Sequence, residues 1–301
     1  MRACEQLPVR MLPDRDWTDL KVWKSDLLAL EGGRSQSKFT AMWTEIVQRY
    51  SRCDLTFGSD KLIAISGIAK RMGLRMGFDK DDYFAGMWRQ DLLRQLLWYS
   101  FDPGARSEKY RAPSWSWASI DADLVAIEDE DEDGGDVEVA RLIDIRTEHD
   151  GNPFGVLKGG YCCIQGPLAH LSLAYASADE QDNDEEPRGE EIASINGGTA
   201  FVTTLWEFQA DEGFELQMEN NRWHRELSNY LVFQLVQSPG RVYGLILEAT
   251  DIVGQFKRWG LFSSSRDELA VAFRESVQII YRLEGLPGEC CQGLGYTVMI
   301  V

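Results

Sequence analysis

Three histidines, six cysteines and one run of alternating aspartates are the side chains here suited to acid–base or metal chemistry. Their spacing argues against both. His149, His170 and His224 have no second histidine at metal-ligand distance along the chain. His149 lies in the turn sequence His149-Asp150-Gly151-Asn152-Pro153 and reads as a solvated side chain. His170 is placed to bond a backbone carbonyl, and His224, the one candidate base, has no nucleophile beside it. Asp129, Asp131, Asp133 and Gly134 reproduce the first half of a calcium loop. The twelfth position should be a bidentate glutamate, and it is Ala140; position eight, normally apolar, is Asp136. Cys4 and Cys53 stand alone, Cys162-Cys163 and Cys290-Cys291 are adjacent, and no C-x-x-C occurs. Gly293-Leu294-Gly295 lacks the third glycine of a phosphate cradle, since Val298 holds that position. Ser35–Lys38 matches S-x-x-K without its companion motifs. The expectation is a protein with no metal and no cofactor.

The chemistry left is noncovalent, and it concentrates in Tyr110–Ser119, YRAPSWSWAS. On a strand, Trp115 and Trp117 share one face and Ser114 and Ser116 the other. Pro113 removes a backbone donor and marks the strand's start. Two readings stay open: indoles filling the core, or an aromatic wall for a ligand. The second makes Tyr110, Arg111, Ser114, Trp115, Ser116 and Trp117 the candidate ligand-binding residues, with no catalytic residue assigned.

The same segment carries a resemblance. PSWSWAS (113–119) resembles the signature that follows the HET domain in fungal heterokaryon-incompatibility proteins. Trp43–Met72 resembles the family's helical segment, and Asp82–Trp98 its tyrosine–glycine–tryptophan helix. Tyr161–Leu168 and Gly244–Phe262 resemble the later β-rich tail, so the likeness runs over roughly residues 17–282. The resemblance implies a fungal recognition module of non-self whose tail scaffolds or regulates the HET domain. That domain belongs upstream and is missing from this chain, so death-effector activity is not carried over.

The elements that must position these residues change character along the chain. Phe39, Met42, Trp43, Ile46, Val47 and Tyr50 form one apolar stripe at helical spacing. Ser59-Asp60 can cap a helix over Lys61–Met72 that Gly73 stops, and Asp81–Trp98 reads as a third helix. A short helix is expected over Asp16–Leu30. Beyond Pro113 the texture is strand-like: Ser114–Ile120, Val137–Thr147, Gly160–Gln165, Thr199–Trp206, Tyr230–Gln237, Arg241–Glu248, Lys257–Phe262 and Val277–Leu283. Ser238-Pro239-Gly240 should turn a hairpin. The predicted class is α+β: a helical N-terminal third (1–106) packed on a largely antiparallel β-rich body (107–301), as one cooperative unit. In each cysteine pair one side chain should be buried, because neighbours on a strand face opposite ways. Asp60 reads as a cap and Lys61 as a solvated residue, or the two as a charged pair at a pocket rim; Arg258 should pair with an acid of the helical third.

Composition limits the partners. With 33 aromatics in 301 residues the chain can build a large core. Its net charge of −18 sits mostly in two acidic loops, 128–136 and 179–191, which leave the rest near −4. A basic stripe for nucleic acid is missing, and so is an apolar run long enough to span a bilayer. Without a signal-peptide core, the chain reads as cytoplasmic. The expected partner is a hydrophobic small molecule or a protein. The leading expectation is a small-molecule-binding protein. Its pocket could act as a cofactor-independent isomerase or cyclase on a fungal terpenoid or polyketide, by orientation alone. Such a site calls for a closed apolar cavity with one or two polar contacts. The alternative is the non-catalytic recognition module.

Overall fold

A computed structural model describes residues 36–53, 55–100, 105–127, 136–176, 230–238, 241–264 and 296–301. Between 169 and 230 it places strand backbones, at 190–195, 199–202, 208–210, 217–219 and 222–225 among them. The helix expected at Asp16–Leu30, the strand at Val277–Leu283, Cys290-Cys291 and most of both acidic loops lie outside the described residues.

The apolar stripe beginning at Phe39 folds as expected. Helix α1 (Gln36–Ser51) buries Phe39, Trp43, Ile46 and Val47 along one side. Helix α2 (Lys61–Met76) buries Leu62, Ile65, Ala69 and Met72. It runs past Gly73, which is buried mid-helix because Trp88 packs on it: a Cβ there would lie 2.4 Å from the indole. The helix ends instead at Gly77, in the left-handed region at φ 72°. There the Phe78 and Gly77 N–H groups return to the Gly73 and Leu74 carbonyls, the two bonds of a Schellman cap.

The third expected helix does not form. Asp79 caps a 3-10 turn over Lys80–Asp82, and the chain then makes a two-residue hairpin, β1 (Tyr83–Phe84) and β2 (Met87–Trp88). Its turn, Ala85-Gly86, has φ of 49° and 91°, the double left-handed turn whose twist suits a hairpin. Only one helical turn follows, α3 (Leu92–Gln95). The apolar four-residue spacing was real, but a turn-forming Ala-Gly interrupts it, and both hairpin strands are buried on both faces.

Short strands β3 (Trp98–Tyr99), β4 (Ala105–Arg106), β5 (Ile120–Asp121) and β6 (Val125–Ala126) link the helices to the sheet. β3 pairs with β6 and β4 with β5, so pairing crosses residue 106. The main strands are β7 (Val137–Glu138), β8 (Arg141–His149), β9 (Leu157–Gly166), β10 (Leu168–Ala176), β11 (Glu190–Ile195) and β12 (Thr199–Val202). β13 (Phe208–Ala210), β14 (Gln217–Glu219), β15 (Arg222–Arg225), β16 (Tyr230–Ser238), β17 (Arg241–Ala249), β18 (Gln255–Ser264) and β19 (Tyr296–Ile300) complete them. The sheet runs β12-β11-β10-β16-β17-β18-β19-β9-β8, antiparallel except where β18 meets β19. β16 and β17 pair antiparallel as the expected hairpin, with Ser238 opposite Arg241. On β9 Cys162 is buried and its neighbour Cys163 is half-exposed, as the alternation requires.

The architecture is therefore mixed α and β around a large, mostly antiparallel sheet. No helix among the described residues is long and apolar enough to cross a membrane.

Candidate functional site

Residues 114–119 do not form a strand. The Ser116 N–H bonds the Pro113 carbonyl at 3.0 Å, and the Ser119 N–H bonds the Ser116 carbonyl at 3.0 Å. The result is a turn followed by a 3-10 turn over Trp117–Ser119. Ser116 decides this locally: its Oγ accepts from the Ala118 N–H at 3.0 Å, a serine cap that competes with any strand. Both serines are buried between the tryptophans: Ser116 closes a turn, and Ser114 bonds distant backbone.

Around this double turn the core is assembled. The Trp117 and Trp43 indoles both donate to the Gly86 carbonyl, at 2.9 and 3.0 Å. Ser116 Oγ donates to the Ala85 carbonyl at 2.6 Å, and Trp98 Nε1 to the Trp115 carbonyl at 3.1 Å. Ser114 Oγ accepts from the Arg258 N–H at 2.9 Å and donates to the Val301 carbonyl. Arg258 is buried; its guanidinium lies 3.5 Å from the Trp98 ring centre and donates to the Leu96 and Trp98 carbonyls. The Arg258 guanidinium thus meets the helical third through two backbone carbonyls and an indole face. Ser114, Trp115, Ser116 and Trp117 all sit inside this hub. The space beside Trp43, Trp98 and Trp117 is about 30 Å³, the scale of a water niche.

Tyr110 and Arg111 are placed elsewhere, on a cleft of about 570 Å³. One wall is Thr56–Ser59 with Leu62, the other Arg106–Arg111, and Gly155-Val156 closes the rim. Phe57, Tyr110 and Val156 are large apolar side chains exposed on this cleft. Asp121 forms its floor, held by two buried cations. Arg111 Nη2 and Nη1 reach the carboxylate at 2.9 and 3.2 Å, and Lys61 Nζ reaches it at 3.3 Å. Arg111 also donates to the Ala118 carbonyl at 2.6 Å and the Gly58 carbonyl at 3.2 Å, tying both walls together.

Lys61 is buried, not solvated as expected, and Asp60 makes no side-chain cap bond to α2. Lys61 Nζ donates to the Ile120 carbonyl and lies 5.9 Å from the Trp117 ring, behind the cleft floor. Burial holds its pKa below the ordinary lysine value, with the Asp121 carboxylate opposing. Asp121 is held below the usual carboxylate range: hydrogen bonds and charge from Arg111 and Lys61 outweigh partial burial, the largest single influence and an opposing one. Partial burial, aided by Glu148, pushes the Tyr110 phenol up to about 12.

Sequence reasoning found two of the cleft's residues and missed Phe57, Arg106, Lys109, Asp121 and Val156. Asp121 follows Arg111 by ten residues, a spacing that carries no signal until the intervening turns bring them together. Among the described residues no group of three or more His, Cys, Asp or Glu could hold a metal ion. Comparison of the chain with family models, curated proteins and solved structures finds no match.

Proposed function

We propose that this chain is a binding protein that holds a small organic molecule in the cleft between Phe57 and Tyr110. The observation that carries the reading is the convergence of Phe57, Tyr110 and Val156 on a concavity of about 570 Å³ with a charged floor. That size falls in the range of small-molecule sites, which combine apolar walls with a few fixed polar groups. A flat apolar body would lie against the two rings. Its polar end would face Arg106, Ser107 and Lys109. The ligand is therefore amphipathic, in contrast to the pure hydrocarbon that an enclosed apolar chamber would take. An isomerase or cyclase would use the same cleft by orienting its substrate, but an open rim and an ion-pair floor favour binding over that chemistry.

The test is a thermal-shift screen of a fungal metabolite library against the full chain, followed by titration of each hit. Phe57 and Tyr110 are exposed, so Phe57→Ala and Tyr110→Ala should keep the wild-type thermal transition. Both should weaken a true ligand at least about tenfold, the loss of one well-packed aromatic contact. Hits that bind both variants unchanged would place the ligand elsewhere and overturn the reading.

A second reading, the recognition module of fungal heterokaryon incompatibility, is favoured by a different observation. Four of the five stretches that carry the resemblance meet at the hub: Trp43, Gly86, Ser116, Trp117 and Arg258 are joined there directly or through one residue. A shared architecture explains why such distant motifs occur together. Introducing cleft variants into a fungal host and scoring fusion between strains would test it; unchanged compatibility would count against it.

A further inference from the structure

Helix α2 carries Lys61, Lys70, Arg71 and Arg75 and no acid, in a chain with 49 acids and a net charge of −18. Lys61 turns inward to the cleft floor. The inner side of the helix is accounted for by Leu62, Ile65, Ala69, Met72 and Gly73. The outer side is not polar. Ile63 and Ile68 are exposed there, and Leu74 is 80 % exposed. At about 100° per residue, Ile63, Gly67, Lys70 and Leu74 fall on one narrow arc, with Arg71 beside it. The Lys70 ammonium lies 5.3 Å from the Phe154 ring, which steadies it at the edge of this strip.

Gly67 adds an independent observation. A glycine inside a helix destabilises it relative to alanine. Gly73, six residues on, is needed because Trp88 packs on it; Gly67 has nothing within 4 Å of where a Cβ would sit. Nothing within the described fold calls for glycine at 67. A notch between exposed Ile63 and Leu74 makes sense when another backbone approaches closely from outside.

We infer that the outer face of α2 docks an amphipathic helix of a partner protein, with apolar residues over Ile63, Gly67 and Leu74 and acidic residues flanking them. Charge complementarity selects this occupant. A second copy presenting the same helix would set Lys70 and Arg71 against their own kind, which is unfavourable. A membrane surface is disfavoured because three apolar side chains bury little area, and an anionic bilayer would meet the rest of a strongly acidic molecule. A single helix meets only the basic face, and charges beyond about 10 Å are screened.

A displayed library of helical peptides, selected against the full chain, tests the inference. Wild-type protein should enrich amphipathic helices with Asp or Glu flanks. Lys70→Glu combined with Arg71→Glu should lose those peptides and enrich Lys- or Arg-flanked ones. Gly67→Ala should raise the urea midpoint while weakening the selected peptide several-fold, a pairing that a merely structural role for Gly67 does not produce. Enrichment of the same peptides by wild type and the charge-reversed variant, or of none by either, overturns the inference. So does sedimentation with phosphatidylserine vesicles, or self-association lost in the charge-reversed variant, without acidic-peptide binding.

Discussion

Replacing Asp121 with asparagine tests the floor of the cleft directly. The carboxylate neutralises Arg111 and Lys61, whose side chains are each 4 % exposed. Asparagine keeps the shape and one acceptor oxygen but leaves two buried cations facing each other. Breaking a fully buried pair costs roughly 3–5 kcal/mol. The Asp121 side chain is itself 56 % exposed, so water compensates in part and the expected loss is about 2–3 kcal/mol. Lys61→Met removes the surplus charge at similar volume. Its own cost is the bond to the Ile120 carbonyl, roughly 1–2 kcal/mol. The double variant should then be more stable than the summed single effects by at least about 1 kcal/mol. Urea unfolding of the four proteins at neutral pH, followed by tryptophan fluorescence, measures the cycle. An Asp121→Asn protein within about 0.5 kcal/mol of wild type, or a strictly additive cycle, would refute the argument that this carboxylate serves to neutralise two cations.

The hub gives a second prediction. Gly86→Ala puts a Cβ 2.7 Å from Trp117 Nε1 at a residue with φ 91°. Left-handed strain and overpacking together should cost roughly 2–5 kcal/mol; a loss below about 1 kcal/mol in urea would show that the two indoles do not pin this turn. The alkaline limb of stability gives a third. Lys61 has a lowered folded pKa, so between that value and the ordinary 10.5 the unfolded chain binds more protons and the lysine's contribution rises with pH. Tyr50, pushed up to about 12 by burial, acts in the opposite sense from pH 10 upward. Lys61→Met should remove the rise and Tyr50→Phe the fall, measured as unfolding free energy from neutral to alkaline pH; parallel curves for all three proteins would contradict both assignments.

Helix α1 and the hairpin β16–β17 were legible because their signals are local: a repeating apolar stripe, and a Pro-Gly turn between apolar runs. The segments 81–98 and 114–120 were misread for one reason. Each has an apolar spacing that fits a regular element, and each is diverted by a polar or turn-forming residue whose partner is distant. Ala85-Gly86 is held by indoles at positions 43 and 117, and Ser116 by its bond back to Ala85. Periodicity reports which face is buried, and residues 83–88 and 114–120 are buried on every face. The cleft was half visible: Tyr110 and Arg111 stood out beside the tryptophans, whereas Phe57 and Asp121 join them only through the fold. Lys61 looked like an ordinary first-turn lysine, because no feature of its neighbours reveals that Ile120 and Asp121 lie over it.

The hub also sets a schedule for making the protein. Trp43, Gly86 and Trp117 leave the ribosome early, yet Ser114 is completed by Arg258 and by the residue after β19, and the Leu96 and Trp98 carbonyls by Arg258. Until more than half of the remaining chain has been synthesised, the most aromatic-rich part of the molecule has no closed core to enter. At ribosomal speeds of roughly 5–20 residues per second that interval lasts on the order of ten seconds or more. An unfinished chain would spend it with tryptophans uncovered, making the nascent first third a natural client for chaperones.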